Sequence, residues 1–113
     1  MRLVKLAAAL SAAFTLSSAA FADITIGVSL SATGPAASLG IPEKNTITLM
    51  PTEIGGEKVR LIVLDDATDP TVATKNARRL VTEDHVDAII GSSSTPATAA
   101  IAEGSHKACP PVP

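Results

Sequence analysis

Three serines and a threonine stand together at positions 92 to 95, directly before Pro96. Hydroxyl groups donate and accept hydrogen bonds, and proline is favoured in the first turn of a helix. The free amide groups and the dipole of a helix N-terminus favour a bound anion. The pattern predicts that Ser93, Ser94 and Thr95 bind a carboxylate. It also allows a second interpretation, in which these residues only cap the helix, since Thr95-Pro96 would do that unaided.

Two adjacent carboxylates, Asp65 and Asp66, follow an apolar run and could hold a metal ion or accept a phosphoryl group. Either chemistry needs further acidic and basic partners at other strand ends. In a second interpretation, the pair and Asp69 organise a turn and cap the following helix. The spacing of His85 and His106 is not that of metal ligands.

Catalytic and nucleic-acid-binding patterns are missing from the sequence. No Ser-His-Asp or Cys-His order can be assembled, and Gly55-Gly56 stands alone before a strand instead of forming a phosphate-binding loop. Trp and Tyr are absent, and no basic patch contains interleaved aromatic residues. We therefore expect a protein that is not an enzyme and that has no cofactor, no metal site and no nucleic-acid partner.

The elements that would position these residues alternate between strand and helix. Apolar runs predict strands over residues 24–30, 59–64 and 86–91. Helices are predicted from Pro42 toward Met50, from Asp69-Pro70 through Val81, and from Ala97 to about Glu103. The spacing in the second helix assigns Ala73, Ala77, Leu80 and Val81 to its apolar side and turns Lys75, Asn76, Arg78 and Arg79 mostly outward.

The order β-α-β-α-β-α predicts an α/β fold with a doubly wound parallel sheet in the flavodoxin-like strand order 2-1-3. The apolar run over residues 61–64 predicts a strand covered on both faces. Ligands of such sheets bind beyond the carboxyl ends of the strands, here between the first and third strands. The loops at that point, residues 31–40 and 92–96, contain small and hydroxyl residues and no charge.

The N-terminus predicts export. Arg2 and Lys5 precede an uncharged apolar stretch over residues 6–16, and Ala20-Phe21-Ala22 matches a signal-peptidase site. We predict a cleavable signal peptide over residues 1–22; the alternative is a buried Ala-rich helix. The formal net charge is −2, and the single Cys109 cannot form an internal disulfide.

Three segments resemble one family in the same order. They are residues 26–40, the Asp-Asp-x-x-Asp-Pro turn over residues 65–70, and the third strand with its serine loop over residues 86–96. Together they are similar to type I periplasmic solute-binding proteins, most closely to the branched-chain amino acid binding family of ABC importers.

The resemblance implies two α/β lobes that close around a small-molecule ligand and deliver it to an ABC permease in the inner membrane. It implies a periplasmic location and a ligand such as an amino acid or a related carboxylate. The first lobe would grip the ligand carboxylate through the third-strand loop, and the first-strand loop would line the same cleft. The residues that match are Ser92, Ser93, Ser94 and Thr95 in the former loop and Thr33, Gly34 and Ala36 in the latter.

The chain departs from the family in length. Relatives run to several hundred residues, so residues 23–113 would form only part of the N-terminal lobe, and we expect this part alone to bind weakly or not at all. A truncated, frameshifted or incompletely sequenced gene, or a deliberate fragment, would explain the difference. Alternative functions are a ligand-sensing domain of a receptor or regulator, and a small exported hydrolase using Asp65 or a loop serine.

Overall fold

The computed structural model describes residues 23–108. The predicted signal peptide over residues 1–22 and Cys109 with the residues after it lie outside this described part. In chain order the elements are β1 (Ile24–Leu30), α1 (Ala37–Ile47), β2 (Glu53–Ile54), β3 (Glu57–Asp65), α2 (Pro70–Thr82), β4 (Ala88–Ile90) and α3 (Thr95–Ala108).

The sheet has the order β2-β3-β1-β4. β1 lies in the centre and runs parallel to β3 on one side and β4 on the other, with Val28 opposite both Val63 and Ile90. The three parallel strands therefore have the predicted order 2-1-3, and the α/β class is confirmed.

A short edge strand, β2, was not among the predicted elements. Ile54 pairs with Glu57 in an antiparallel ladder, and the two residues between them, Gly55 and Gly56, have φ angles of 61° and 86°. Two successive left-handed residues form the type I′ turn that suits a tight hairpin, and glycine adopts them without a steric penalty. The Gly-Gly pair was the available signal for this hairpin.

The helices cover the two sheet faces unequally. Leu80 of α2 packs on Gly27, and Ile89 packs against the cluster between α2 and α3, so both helices lie on one face. α1 lies on the opposite face, over Val28 and Leu30. The buried apolar residues are Val28, Leu30, Val59, Ala73, Ala77, Leu80, Ala97 and Ile101.

The sequence predicts that β3 is covered on both faces, but this coverage is not seen in the described chain. Val63 is 38% exposed and its neighbour across β1, Ile90, is 40% exposed. Both point to the side of the sheet where α1 is the only described helix, and α1 lies over β1. The apolar run of β3 therefore predicted more burial than residues 23–108 supply.

Several predicted boundaries were wrong. α1 begins at Ala37, and Pro42 lies inside it, because the amides of Ala37 and Gly40 already bond to the oxygens of Gly34 and Ala36. α3 begins at Thr95 and reaches Ala108, which keeps the predicted Pro96 in its first turn. β4 is limited to Ala88–Ile90, since it pairs with β1 only there. Boundaries are the part of an element that local pattern defines least.

The start of α2 is as predicted. The side chain of Asp69 accepts hydrogen bonds from the amides of Thr71 and Val72, and Pro70 is the first helical residue. Ala73, Ala77 and Leu80 are buried. Among residues 23–108, no helix is both long enough and apolar enough to cross a membrane.

Candidate functional site

The candidate site lies at the carboxyl ends of the parallel strands, where the loops after β1 and β4 meet. The hydroxyl oxygens of Ser31 and Ser92 are 3.0 Å apart and share a hydrogen bond. This contact joins the two loops at the point where the strand order reverses, which is where such sheets bind ligands. The structure thus brings the two predicted ligand loops together.

Asp66 lies beneath this contact and is completely buried. Its Oδ1 accepts hydrogen bonds from the Ser31 hydroxyl at 2.7 Å and from the Thr68 amide at 3.0 Å. Its Oδ2 accepts a hydrogen bond from the Ser29 hydroxyl at 3.1 Å. A buried carboxylate needs several such donors to offset the loss of its hydration. Asp66 therefore ties β1 and its loop to the turn after β3.

Asn76 extends this network from α2. Its Nδ2 donates to Ser29 Oγ at 3.2 Å and to the backbone oxygen of Asp65 at 3.0 Å. The prediction that Asn76 points outward was therefore wrong. Helical spacing places Asn76 beside the apolar stripe, and the polar ends of β1 and β3 provide partners for it there.

Asp65 is exposed and binds the first-strand loop. It accepts hydrogen bonds from Thr33 Oγ1 at 2.7 Å, from the Thr33 amide at 3.2 Å and from the Ala67 amide at 2.9 Å. Burial raises the pKa of the Asp65 carboxyl, but the hydrogen bonds from Thr33 and Ala67 outweigh it, so that the pKa lies below its ordinary value. Asp65 and Asp66 thus organise the turn, as the second interpretation of this pair proposed.

The turn after β3 holds Gly34 and Ala36 in place. Thr68 Oγ1 accepts a hydrogen bond from the Ala36 amide at 3.1 Å and donates one to the Thr33 oxygen at 3.2 Å. Gly34 has a φ of 80°, and a Cβ there would lie 2.2 Å from the backbone oxygen of Ala67. Ala67 and Thr68 themselves have left-handed φ angles of 52° and 65°. The loop after β1 and the turn after β3 are therefore packed backbone to backbone.

The hydroxyls of the third-strand loop differ in their partners. Ser92 bonds to Ser31, and its backbone oxygen accepts a hydrogen bond from Thr98 Oγ1 at 2.7 Å. Ser93 donates a short hydrogen bond to Glu43 of α1. Ser94 Oγ is buried and has no hydrogen-bond partner among the described residues. Ser94 lies directly before Thr95, the first residue of α3, which is the N-cap position, but its hydroxyl does not cap the helix because it has no partner there.

A cavity of about 350 Å³ lies under α1 and does not coincide with the predicted ligand residues. Its only charged lining group is Glu43, whose negative charge opposes binding of an anion. The lining residues are Val28, Leu30, Pro42, Glu43, Thr46, Ile47, Ile90 and Gly91.

The described residues contain no group of three or more His, Cys, Asp or Glu side chains that could hold a metal ion. The carboxylates at the site accept hydrogen bonds from neighbouring hydroxyls and amides. The sequence did not predict the structural roles of Ser29, Ser31 and Glu43. The alternation of polar and apolar residues at the end of β1 was an available signal for the two serines. No pattern in the sequence indicated the contact of Glu43 with Ser93.

A parallel α/β unit with hydroxyl groups at the switch point of its sheet has the architecture in which open α/β sheets bind ligands. The family model for periplasmic binding proteins matches residues 23–108. The chain belongs to this family, whose members are ligand-binding proteins, and the resemblance to type I periplasmic binding proteins is confirmed.

Individual relatives agree. An amino acid binding protein of Pseudomonas aeruginosa is 38% identical over 99 residues, which is 80% of this chain and 26% of the relative. An extracellular ligand-binding receptor from Rhodopseudomonas palustris HaA2 is 52% identical, with a TM-score of 0.74, over 77% of this chain and 24% of the receptor.

A third relative was solved with a ligand. It is the solute-binding protein of an ABC transporter from Rhodopseudomonas palustris BisB5, in complex with 3,4-dihydroxybenzoic acid. It is 32% identical, with a TM-score of 0.67, over 72% of this chain and 23% of its own length. The chain thus spans about a quarter of the length of these relatives.

Proposed function

We propose that this chain provides the carboxylate-binding part of a solute-binding protein of an ABC importer, with branched-chain amino acids or related small carboxylates as ligands. The observation that carries the proposal is the contact between the loops after β1 and β4. The Ser31–Ser92 hydrogen bond brings both loops to one edge of the sheet, beside the N-terminus of α3.

The donors at this edge suit a carboxylate. The first amides of a helix have no intrahelical partner and carry the positive end of the helix dipole. Thr95, the first residue of α3, is exposed, and the small residues of the first-strand loop let a ligand approach the backbone. The proposed ligand-contacting residues are Ser92, Ser93, Ser94, Thr95, Thr33, Gly34 and Ala36.

The relatives support the ligand class. One is named as an amino acid binding protein, and another holds 3,4-dihydroxybenzoic acid. An amino acid and a benzoic acid share a carboxylate and differ elsewhere. A site that recognises the carboxylate through α3 and its loop is compatible with both kinds of ligand.

The location and the partner of the protein are part of the same proposal. The signal peptide over residues 1–22 directs the chain to the periplasm, where the complete protein has a second lobe and meets an inner-membrane ABC permease. Expression with the native N-terminus and mass spectrometry of the exported product test the first step. A product that begins at Asp23 supports export, and a chain retained with Met1 contradicts it.

Binding is tested with the full chain and pairs of probes that differ only in the carboxylate. Saturation-transfer NMR compares leucine with leucinamide, and benzoate with benzamide. We expect weak binding of a carboxylate and none of its amide, because only the carboxylate carries the negative charge that a helix N-terminus attracts. Thr95→Ala should weaken this binding, and Thr46→Ala, in the cavity under α1, is the matched control. Equal binding of acid and amide would contradict the proposal.

A further inference from the structure

We propose that Asp66 acts through Ser31 to make the Ser92 hydroxyl a hydrogen-bond acceptor toward the ligand. Ser92 would then bind a donor group of the ligand, such as an ammonium or a hydroxyl group, and not its carboxylate. This inference rests on the proposed function, because it needs a ligand at the same edge of the sheet. Asp66 is in this sense a positioning residue.

The number of hydrogens available to each hydroxyl fixes the direction of these hydrogen bonds. A serine hydroxyl has one hydrogen to donate, and an ionised carboxylate only accepts. The Ser31 hydroxyl donates its hydrogen to Asp66 Oδ1 at 2.7 Å. The 3.0 Å contact between Ser31 and Ser92 must then use the hydrogen of Ser92. Ser92 keeps only oxygen lone pairs for a ligand.

The direction of this chain is supported from the other side of Asp66. Asn76 Nδ2 is a donor only, and it donates to Ser29 Oγ at 3.2 Å. The hydrogen of Ser29 is consequently free to point to Asp66 Oδ2, 3.1 Å away. The Thr68 amide, also a donor only, occupies Oδ1 together with Ser31. Every partner of this buried carboxylate is thus a donor.

The position of Ser92 is also fixed. Its backbone oxygen accepts the hydrogen bond from Thr98 of α3, so the residue is held between β4 and that helix. For Ser92 to donate to a ligand carboxylate, it would have to give up its bond to Ser31. The hydrogen of Ser93 is used by Glu43. The ligand carboxylate is therefore left to the Ser94 hydroxyl, which has no partner among the described residues, to Thr95 and to the free amides at the start of α3.

The hydrogen-bond direction is measured without a ligand by neutron diffraction from deuterium-exchanged crystals of the full chain. The proposal predicts the Ser31 deuterium on the line to Asp66 Oδ1 and the Ser92 deuterium on the line to Ser31 Oγ. A Ser31 deuterium that points to Ser92 would overturn the proposal.

The consequence for the ligand is measured by NMR titration with two pairs of probes, leucine with 4-methylpentanoate and 3,4-dihydroxybenzoate with benzoate. In each pair only the first has the additional donor group. Asp66→Asn introduces an amide donor that can reverse the Ser31 and Ser92 hydrogens. The measured quantity is the ratio of the affinities of the two members of a pair, for whichever pair binds. We expect the preference for the member with the additional donor group to fall about tenfold in Asp66→Asn and in Ser92→Ala.

Controls separate this role from a structural one. Ser31→Ala breaks the connection between Asp66 and Ser92, while Asp66 keeps its hydrogen bonds to Ser29 and Thr68. The preference should therefore fall in Ser31→Ala, and this variant tests the proposal even if Asp66→Asn does not fold. Asp87→Asn, whose carboxylate accepts from Thr25 at the opposite end of β1, should leave the preference unchanged. Equal losses for both members of a pair would overturn the proposal. A chain that binds neither pair is compatible with the weak or absent binding expected of this part alone, and the deuterium positions then decide the hydrogen-bond direction alone.

Discussion

Thr33 donates two hydrogen bonds to Asp65, one from its hydroxyl at 2.7 Å and one from its amide at 3.2 Å. These bonds join the loop after β1 to the end of β3, and therefore hold one of the two proposed ligand loops against the sheet. The conformation of that loop consequently depends on the charge of Asp65, which leads to a prediction on acid stability.

We predict that acid weakens the fold partly through Asp65. The pKa of Asp65 is lower in the folded chain than its ordinary value of 3.8, as burial, which raises it, is outweighed by hydrogen bonds. Its contribution is therefore fully present above the unfolded pKa and is lost as the pH falls through the lower, folded value. Thermal unfolding followed by circular dichroism from neutral to acid pH should show a shallower acid loss for Asp65→Asn. Identical slopes would contradict the role of Asp65.

Asp69 gives a second prediction, on the start of α2. Its carboxylate accepts hydrogen bonds from the Thr71 amide at 2.6 Å and the Val72 amide at 3.2 Å, which also lower its pKa. Asp69→Ala should lower the melting temperature, and Asp69→Asn should lower it less, since asparagine keeps an acceptor oxygen. Equal effects of the two substitutions would show that the cap does not stabilise the helix.

Leu80 tests the core between α2 and the sheet. Its side chain is fully buried on Gly27, so Leu80→Ala leaves a cavity, and we expect the free energy of unfolding to fall by about 2–5 kcal/mol. Leu49 is the matched control, because it is 83% exposed; Leu49→Ala should change the stability by less than about 0.5 kcal/mol. Urea unfolding measures both, and similar losses would contradict the packing.

Two glycines should differ in the cost of an added methyl group. At Gly40 a Cβ would lie 2.0 Å from the backbone oxygen of Ser31, whereas at Gly27 it would lie 2.8 Å from the flexible end of Leu80. Gly27→Ala should cost about 1–3 kcal/mol, as overpacking usually does, and Gly40→Ala should cost more. Urea unfolding of the two variants gives the order. A smaller loss of unfolding free energy at Gly40 would indicate that α1 lies further from the loop after β1 than it does in the structure.

The α/β class and the order of the parallel strands could be predicted, because the strands and helices that define them have local signals. Asp69-Pro70 marks a helix start, and apolar runs separated by helical spacing mark parallel strands. The hairpin at Gly55-Gly56 was missed because β2 has only two residues. The start of α1 was missed because Pro42 is a strong local signal, while the contact of Gly40 with Ser31 is tertiary.

The partners within the site could not be predicted. Ser31 and Ser92 are separated by 61 positions, and Asn76 reaches Ser29 across 47. Which hydroxyl meets which carboxylate depends on strand register and helix placement, and neither is visible in a run of serines. The hydroxyl-rich loop was predicted to bind a ligand, and the different partners of Ser92, Ser93 and Ser94 became apparent only in three dimensions.

The central claim is that the loops after β1 and β4 form one carboxylate-binding edge. The most direct measurement is an amide NMR titration of the isotope-labelled chain with leucine and with 3,4-dihydroxybenzoate. We predict weak, saturable shifts, with millimolar affinity on the order of 4 kcal/mol, for the amides of residues 92–95 and 97 and of residues 33, 34, 36 and 37. Shifts confined to the cavity under α1, with both loops unchanged, would contradict it.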